Sequence, residues 1–447
     1  MYTLREYQKQ SVEKAVSFLK DKTKNYNSII VLPTGSGKSL VIANIIKELN
    51  EKTIVFQPTK EILEQNYKKL VSYRYNAAIF SASMNRKEID LITFATIGSA
   101  VNKLNYFSDF KYILIDECHY VNSKGGMYDT FISSLNAKVL GFTATPYRLI
   151  TDNYGGAILK FLTRTRPRVF KDVLYFVQNK ELFDQQYLAK LEYACINGFD
   201  QSRIKKNSTG ADFDDKSLKR YFDIVDQKQR IISVAKDLMT KRRGILIFCK
   251  FIDEANYVMS QIPGAEIVTA KTSKRDREII IANFRSGKTK VVCNVGVLGI
   301  GFDYPELDTI ILGRPTMSLA VYYQQIGRGI RPHQDKEKAL IVDLSGNFDK
   351  FGKIEDLQLH ENNRKYFISN GTRQLTNVYY DDNKPVKEVS LPNANSDKDS
   401  YVMPFGKYKG SSISDVPVSY LKWMQENIQL FGTLEIKVNS ILSAITE

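Results

Sequence analysis

The run Ser28-Ile29-Ile30-Val31-Leu32 leads straight into Pro33-Thr34-Gly35-Ser36-Gly37-Lys38-Ser39, and residues 40–49 follow with apolar side chains at helical spacing. A buried strand, a glycine turn and a helix account for that order. The two glycines let backbone N–H groups turn inward around an anion, and the start of the helix adds its positive end. Lys38 is expected to reach the β- and γ-phosphates of a nucleotide. Ser39 is expected to ligate Mg²⁺, and Thr34, Gly35, Ser36 and Gly37 to form the cradle. Leu32 stands where the general phosphate-loop pattern has its first glycine.

The same alternation extends along residues 1–150. Thr53-Ile54-Val55-Phe56, Tyr112-Ile113-Leu114-Ile115 and Val139-Leu140-Gly141-Phe142 read as further buried parallel strands, which predicts a doubly wound sheet. A second α/β segment covers 231–370. Its strands are Ile245-Leu246-Ile247-Phe248, Ile267-Val268-Thr269, Val291-Val292-Cys293, Thr309-Ile310-Ile311-Leu312 and Leu340-Ile341-Val342. Between the two lies a basic, aromatic stretch, 151–230, read as a linker and a helical entry. Residues 371–400 turn polar and read as a linker, and 401–447 as a small C-terminal module.

Asp116 closes the strand Tyr112-Ile113-Leu114-Ile115, where a carboxylate faces a phosphate-bound metal. Glu117 is then placed to orient or deprotonate water. Gln324-Gln325-Ile326-Gly327-Arg328-Gly329-Ile330-Arg331 supplies two arginines three residues apart. On one side of a helix or tight turn, both can point into one cleft and neutralise developing phosphate charge.

Taken in order, these motifs resemble superfamily-two helicases and translocases of the DEAD/DEAH (DExH) type, over roughly residues 1–350. The resemblance implies an α/β protein with two RecA-like doubly wound parallel-sheet domains in tandem, and ATP with Mg²⁺ between them. It implies that Gln8 reads the adenine edge. Gly301, Asp303 and Gln324 touch the nucleotide, and His119, Thr143 and Thr145 couple the ATP state to the second domain. It also implies nucleic-acid contacts from Pro58, Thr59, Thr93, Lys250 and Asn294. The TAT triplet Thr143-Ala144-Thr145 and the glutamine-led last motif are similar to the DNA-directed branch, that of restriction motors and repair helicases. RNA-directed relatives usually carry SAT and a histidine-led last motif. The expected activity is ATP-dependent movement on single-stranded, forked or branched DNA in replication, recombination or repair. Duplex remodelling without strand separation, an RNA helicase and a nucleotide-gated scaffold are the alternatives. Replication, recombination or nuclease proteins are the expected partners.

The net charge of +15 favours a polyanion as partner. The four cysteines and three histidines have no metal-ligand spacing, which fits reduced thiols in a cytoplasm, that of the host if the chain is phage-encoded. Cys118 inside the DExH box reads as a structural thiol or a redox handle. The N-terminus has no apolar signal core, and no apolar run approaches the ~20 residues of a membrane span. Residues 403–423 resemble the small module at the C-terminus of exonuclease-ten-like and phage proteins. Phe405, Tyr420 and Trp423 there read as core or as a base-stacking surface.

Overall fold

A computed structural model describes residues 3–151, 157–196, 198–298, 304–379, 402–403, 406–427 and 432–443. Residues 1–387 form one compact unit and 388–447 a second.

The first unit holds two parallel sheets. The first contains β1 (Ser28–Val31), β2 (Thr53–Phe56), β3 (Ala78–Ser81), β4 (Arg86–Lys87), β5 (Ile92–Ala95), β6 (Tyr112–Asp116) and β7 (Lys138–Thr143). An antiparallel hairpin follows, β8 (Tyr147–Thr151) and β9 (Ala157–Phe161). The chain then returns to the first sheet as β10 (Asp172–Phe176), giving the order β10-β1-β7-β6-β2-β5-β3-β4. Only β4 runs antiparallel to its neighbour. Strands β1, β2 and β5 are buried along their whole length, as parallel strands covered on both faces must be.

Helices supply that cover. Lys38–Leu49 buries Val41, Ile42, Ile45, Ile46 and Leu49 on one stripe. Glu6–Lys20 packs on it through Val12, Ala15, Phe18 and Leu19. Each large side chain so buried stabilises the fold by about 1.5–3 kcal/mol.

The second sheet contains β11 (Lys190–Cys195), β12 (Ile245–Phe248), β13 (Glu266–Val268), β14 (Val291–Asn294), β15 (Thr309–Leu312) and β16 (Lys338–Asp343). Its order is β11-β16-β15-β12-β14-β13, all parallel. Helices Asp215–Ile224 and Gln227–Met239 lead into it. A hairpin of β17 (Gln358–Asn362) and β18 (Lys365–Ser369) ends the unit.

The stretch 151–230 is more than a linker and helical entry. Its residues supply an edge strand to each sheet, β10 and β11. Both are only partly buried; Lys190 and Glu192 interrupt the apolar residues of β11, whereas β10 follows Asp172 with the short apolar run Val173-Leu174-Tyr175-Phe176. The end of the predicted second domain also returns to the first. Tyr366 stacks on Phe161 at 5.7 Å and donates through its hydroxyl to Asp172 Oδ1 at 2.7 Å. The Gln178 amide brackets the backbone of Leu359 at 2.8 and 3.0 Å.

The second unit has its own core of Met403, Ile413, Val416, Leu421, Met424, Leu434, Val438 and Leu442. Tyr420 packs at its margin, and Gly406 (φ +79°) lies where a Cβ would sit 2.5 Å from the Tyr420 hydroxyl. Trp423 stacks on Tyr420 but is 47% exposed, so it is no core residue. Phe405 lies outside the described residues. No described helix is long and apolar enough to cross a membrane.

Candidate active site

The C-terminal edge of a parallel sheet is where loops can build a ligand crevice. Here that edge brings together the ends of β1, β2, β6 and β7. Gly35 and Gly37 both take positive φ, +81° and +82°, as the turn after β1 requires. The carbonyl of Ser36 between them accepts from the Tyr7 hydroxyl and from Gln8 Nε2, each at 2.8 Å. A Cβ on Gly37 would lie 2.6 Å from Gln8 Nε2. The other end of the Gln8 amide accepts from Arg5 N at 2.9 Å. One end of the Gln8 amide therefore holds the phosphate loop and the other caps the start of its own helix, and a base edge would compete for those bonds.

Lys38 Nζ lies 3.4 Å from Glu117 Oε1. Ser39 Oγ donates to Asn66 Oδ1 at 2.6 Å, and Asn66 Nδ2 donates to Gln57 Oε1 at 3.0 Å and reaches Asp116 Oδ2 at 3.4 Å. One amide thus joins the hydroxyl and the carboxylate expected to hold Mg²⁺. Burial and the neighbouring charge of Glu117 push Asp116 up to about 7. Burial works the same way on Glu117, but Lys38 and His119 outweigh it and hold that carboxyl low. A buried carboxylate beside a hydroxyl, with a second carboxylate kept ionised, is an oxygen set that suits a hard divalent cation.

Glu117 sits in the left-handed region, φ 50° and ψ 50°, which turns the chain sharply after β6. His119 lies beneath it. Its Nδ1 is 2.9 Å from Thr143 Oγ1, 3.1 Å from Thr145 Oγ1 and 3.3 Å from Glu117 Oε2. Its Nε2 is 3.4 Å from Gln324 Nε2 on the second domain. These three coupling residues are therefore one hydrogen-bonded cluster. Cys118 is fully buried, and a Cβ on Gly141 would lie 2.6 Å from its sulfur. Burial raises its thiol well above the ordinary range, so its role here is packing.

The second domain meets the phosphate loop directly. Thr34 N donates to the Tyr323 hydroxyl at 3.4 Å, and that hydroxyl donates to Asn179 Oδ1 at 2.8 Å. A Cβ on Gly35 would lie 2.9 Å from Leu188 Cδ2, so the bare glycine admits a close approach. Arg328 is buried. Burial lowers its guanidinium to about 10, against the opposing pull of Glu117. Burial and Arg285 lower Arg331 to about 10 as well, and its charge also acts on Lys69 and Lys336. Glu117 is thus the charge that acts on Arg328, and Arg285 the one that acts on Arg331.

The expected nucleic-acid contacts divide. Thr59 caps the helix Lys60–Ser72, accepting from Ile62 N, and Pro58 precedes it at the end of β2. Thr93 does not reach that surface. It pairs with Ile54 mid-strand, is fully buried, and bonds through its hydroxyl to Asp90. Thr96 stands at the sheet edge, because Gln57 N pairs with Ala95 O. Asn294 is buried and accepts from Val297 N and Leu298 N, so it shapes the turn after β14. Lys250 is paired with Asp212 and Asp215, each at 3.2 Å. Gly301 and Asp303 lie outside the described residues.

Sequence reasoning missed Asn66, Tyr323, Asn179 and Leu188. Asn66 had a signal. It falls between Leu63 and Leu70 on the buried stripe of its helix, where a polar side chain needs a partner.

Two tandem parallel-sheet domains, with a phosphate loop and a DExH box on one and a glutamine–arginine motif closing on them from the other, define a helicase-type ATPase. Residues 1–148 match the family of the type III restriction enzyme res subunit, and 227–333 the helicase conserved C-terminal domain. Residues 398–443 match a family named for a quorum-sensing-regulated virulence factor. A 51.5 kDa protein of a Lactococcus phage is 30% identical over 72% of this chain and 67% of its own length. The DNA 3′-5′ translocase XPB2 of Sulfurisphaera tokodaii is 26% identical over 76% of this chain and 80% of its own. Among solved structures, the ATP-dependent type ISP restriction-modification enzyme LlaBIII bound to DNA superposes with a TM-score of 0.57 at 17% identity. That match covers 77% of this chain and 28% of that one, and carries the fold alone. The chain belongs to the superfamily-two DExH helicases, in the branch of restriction motors and repair helicases.

Proposed function

We propose that this chain is an ATP-driven DNA motor, a helicase or translocase that moves on single-stranded, forked or branched DNA. The observation that carries the reading is the relay from Glu117 through His119 to Gln324, which ties the hydrolytic carboxylate of one domain to the last motif of the other. Lys38 and the loop amides bind the phosphates. Ser39 and Asp116 hold Mg²⁺, which polarises the phosphoryl oxygens when bound. Glu117 accepts the proton of the attacking water, and Arg328 offsets charge at the transferred group. Thr145 and Gln324 register the change on either side of His119. Opening and closing once per ATP then shifts the two domains along the strand. The +15 charge and the archaeal relative's name support DNA as the track. Replication, recombination or nuclease proteins are the natural partners of such a motor, in the cytoplasm of the cell that holds its DNA.

Movement is tested by ATP-dependent displacement of a third strand from triplex DNA, alongside unwinding of a fork. Wild-type protein displaces strands in at least one assay, and Glu117→Gln binds ATP without doing so. Displacement by Glu117→Gln at the wild-type rate contradicts the mechanism.

A further inference from the structure

Lys250 and Arg314 sit at the C-terminal edge of the second sheet, just past β12 and β15, and both meet the same carboxylate oxygen. Lys250 Nζ is 3.2 Å from Asp212 Oδ2 and Arg314 is 3.5 Å from it. The pairing is incomplete on both sides. Asp212 Oδ1 is buried with no hydrogen-bond partner, and so is Arg314 Nε. A guanidinium met at one nitrogen by one oxygen forgoes the two-point contact that favours it with oxyanions. A tetrahedral phosphate offers more acceptors and a wider reach than this carboxylate.

Asp212 arrives on a short loop rather than on a core element. Lys206 and Phe213 bridge antiparallel, Asn207 N bonds Asp212 O at 2.8 Å, and Asp214 N bonds Lys205 O at 2.8 Å. Positive charge lies close to the carboxylate, whose field reaches Lys350 as well as Lys250 and Arg314, and Asp215 is the nearby acid. Arg314 also lines a cavity of about 540 Å³ between the domains, together with Thr59, Asn294 and Gln324. Thr59 stands on the first domain, at the edge expected to grip nucleic acid. The cavity that Arg314 lines thus reaches that edge.

We propose that Lys250 and Arg314 form a phosphate site for the DNA strand, and that Asp212 occupies this site until a strand phosphate displaces it. The inference rests on DNA as the track and adds to it an intramolecular competitor that lowers affinity for single strands. Asp212 is then a gating residue and touches neither ATP nor the reacting atoms.

The test measures binding of a fluorescent 20-nucleotide oligo(dT) by the full chain across a salt series. Asp212→Asn removes the competing charge at constant shape, and is expected to tighten binding about tenfold, the gain of one freed charge-assisted contact. Arg314→Gln is expected to flatten the slope of log affinity against log salt by about 0.7, the loss of one phosphate contact on a single strand. Thermal melting of each variant confirms folding. Unchanged or weaker binding by folded Asp212→Asn, or an unchanged salt slope for folded Arg314→Gln, overturns the proposal. If wild-type protein binds no DNA at all, the wider reading of the track fails with it.

Discussion

His119 Nε2 lies 3.4 Å from Gln324 Nε2, across the boundary between the two domains. With Nδ1 protonated and donating toward Thr143 Oγ1, Nε2 is left to accept from the Gln324 amide. The contact joins the nucleotide-binding domain directly to the last motif of the second domain, and under the proposed function it would report whether that motif is seated.

Removing the amide tests that sense. Gln324→Ala is expected to leave ATP affinity near the wild-type value and to lower the DNA-stimulated rate about tenfold, the ~1.4 kcal/mol of an ordinary hydrogen bond. Steady-state ATPase with and without DNA measures it. Equal loss in both conditions would mean that Gln324 serves the basal site and not coupling.

Asn66 bridges Ser39 and Asp116. Without it, both must find their orientation alone. Asn66→Ala is expected to raise the Mg²⁺ concentration for half-maximal ATPase about tenfold, as loss of a metal's outer hydrogen bonds does. A Mg²⁺ titration at saturating ATP decides, and an unchanged midpoint removes Asn66 from the metal's surroundings.

Glu254 caps the helix Ile252–Gln261. Its Oε2 accepts from Lys250 N at 3.0 Å and Phe251 N at 3.2 Å, while Oε1 is buried without a partner. Burial raises its carboxyl from 4.5 to about 7. The folded state therefore holds this proton where the unfolded chain releases it. The resulting stability is fully present below pH ~4.5 and is lost as pH rises through 7, by at most about 3 kcal/mol. Glu254→Gln keeps the acceptor and removes the titration. Its melting temperature is expected to exceed wild type at pH 8 and to converge with it near pH 5. A constant difference across that range would contradict the assignment.

What the sequence showed and what it hid follow from one physical distinction. Buried parallel strands and the glycine turn are local, so β1, β2, β6, β7, β12 and β15 and the phosphate loop could be read directly. β11 is an edge strand broken by Lys190 and Glu192 and reads as linker for that reason, whereas β10 carries an apolar run, Val173-Leu174-Tyr175-Phe176, set in a basic, aromatic stretch. Thr93 and Thr96 lie three residues apart on the same strand and its end, but only the pairing of Gln57 with Ala95 shows which one reaches the edge. Lys250 looked like a free contact because its counter-charges, Asp212 and Asp215, lie far from it in the chain. The charges that act on Arg328 and Arg331, Glu117 on one and Arg285 on the other, likewise come from residues that no spacing within the motif encodes.

The most direct measurement of the central claim is the ATPase rate of the full chain with no polynucleotide, single-stranded DNA, duplex DNA, forked DNA and RNA in turn. The structure leads us to expect strong stimulation by at least one form of DNA, weaker stimulation by RNA, and loss of the stimulated rate in Arg328→Ala. A rate that no polynucleotide changes would contradict the motor, and a larger response to RNA would contradict the track.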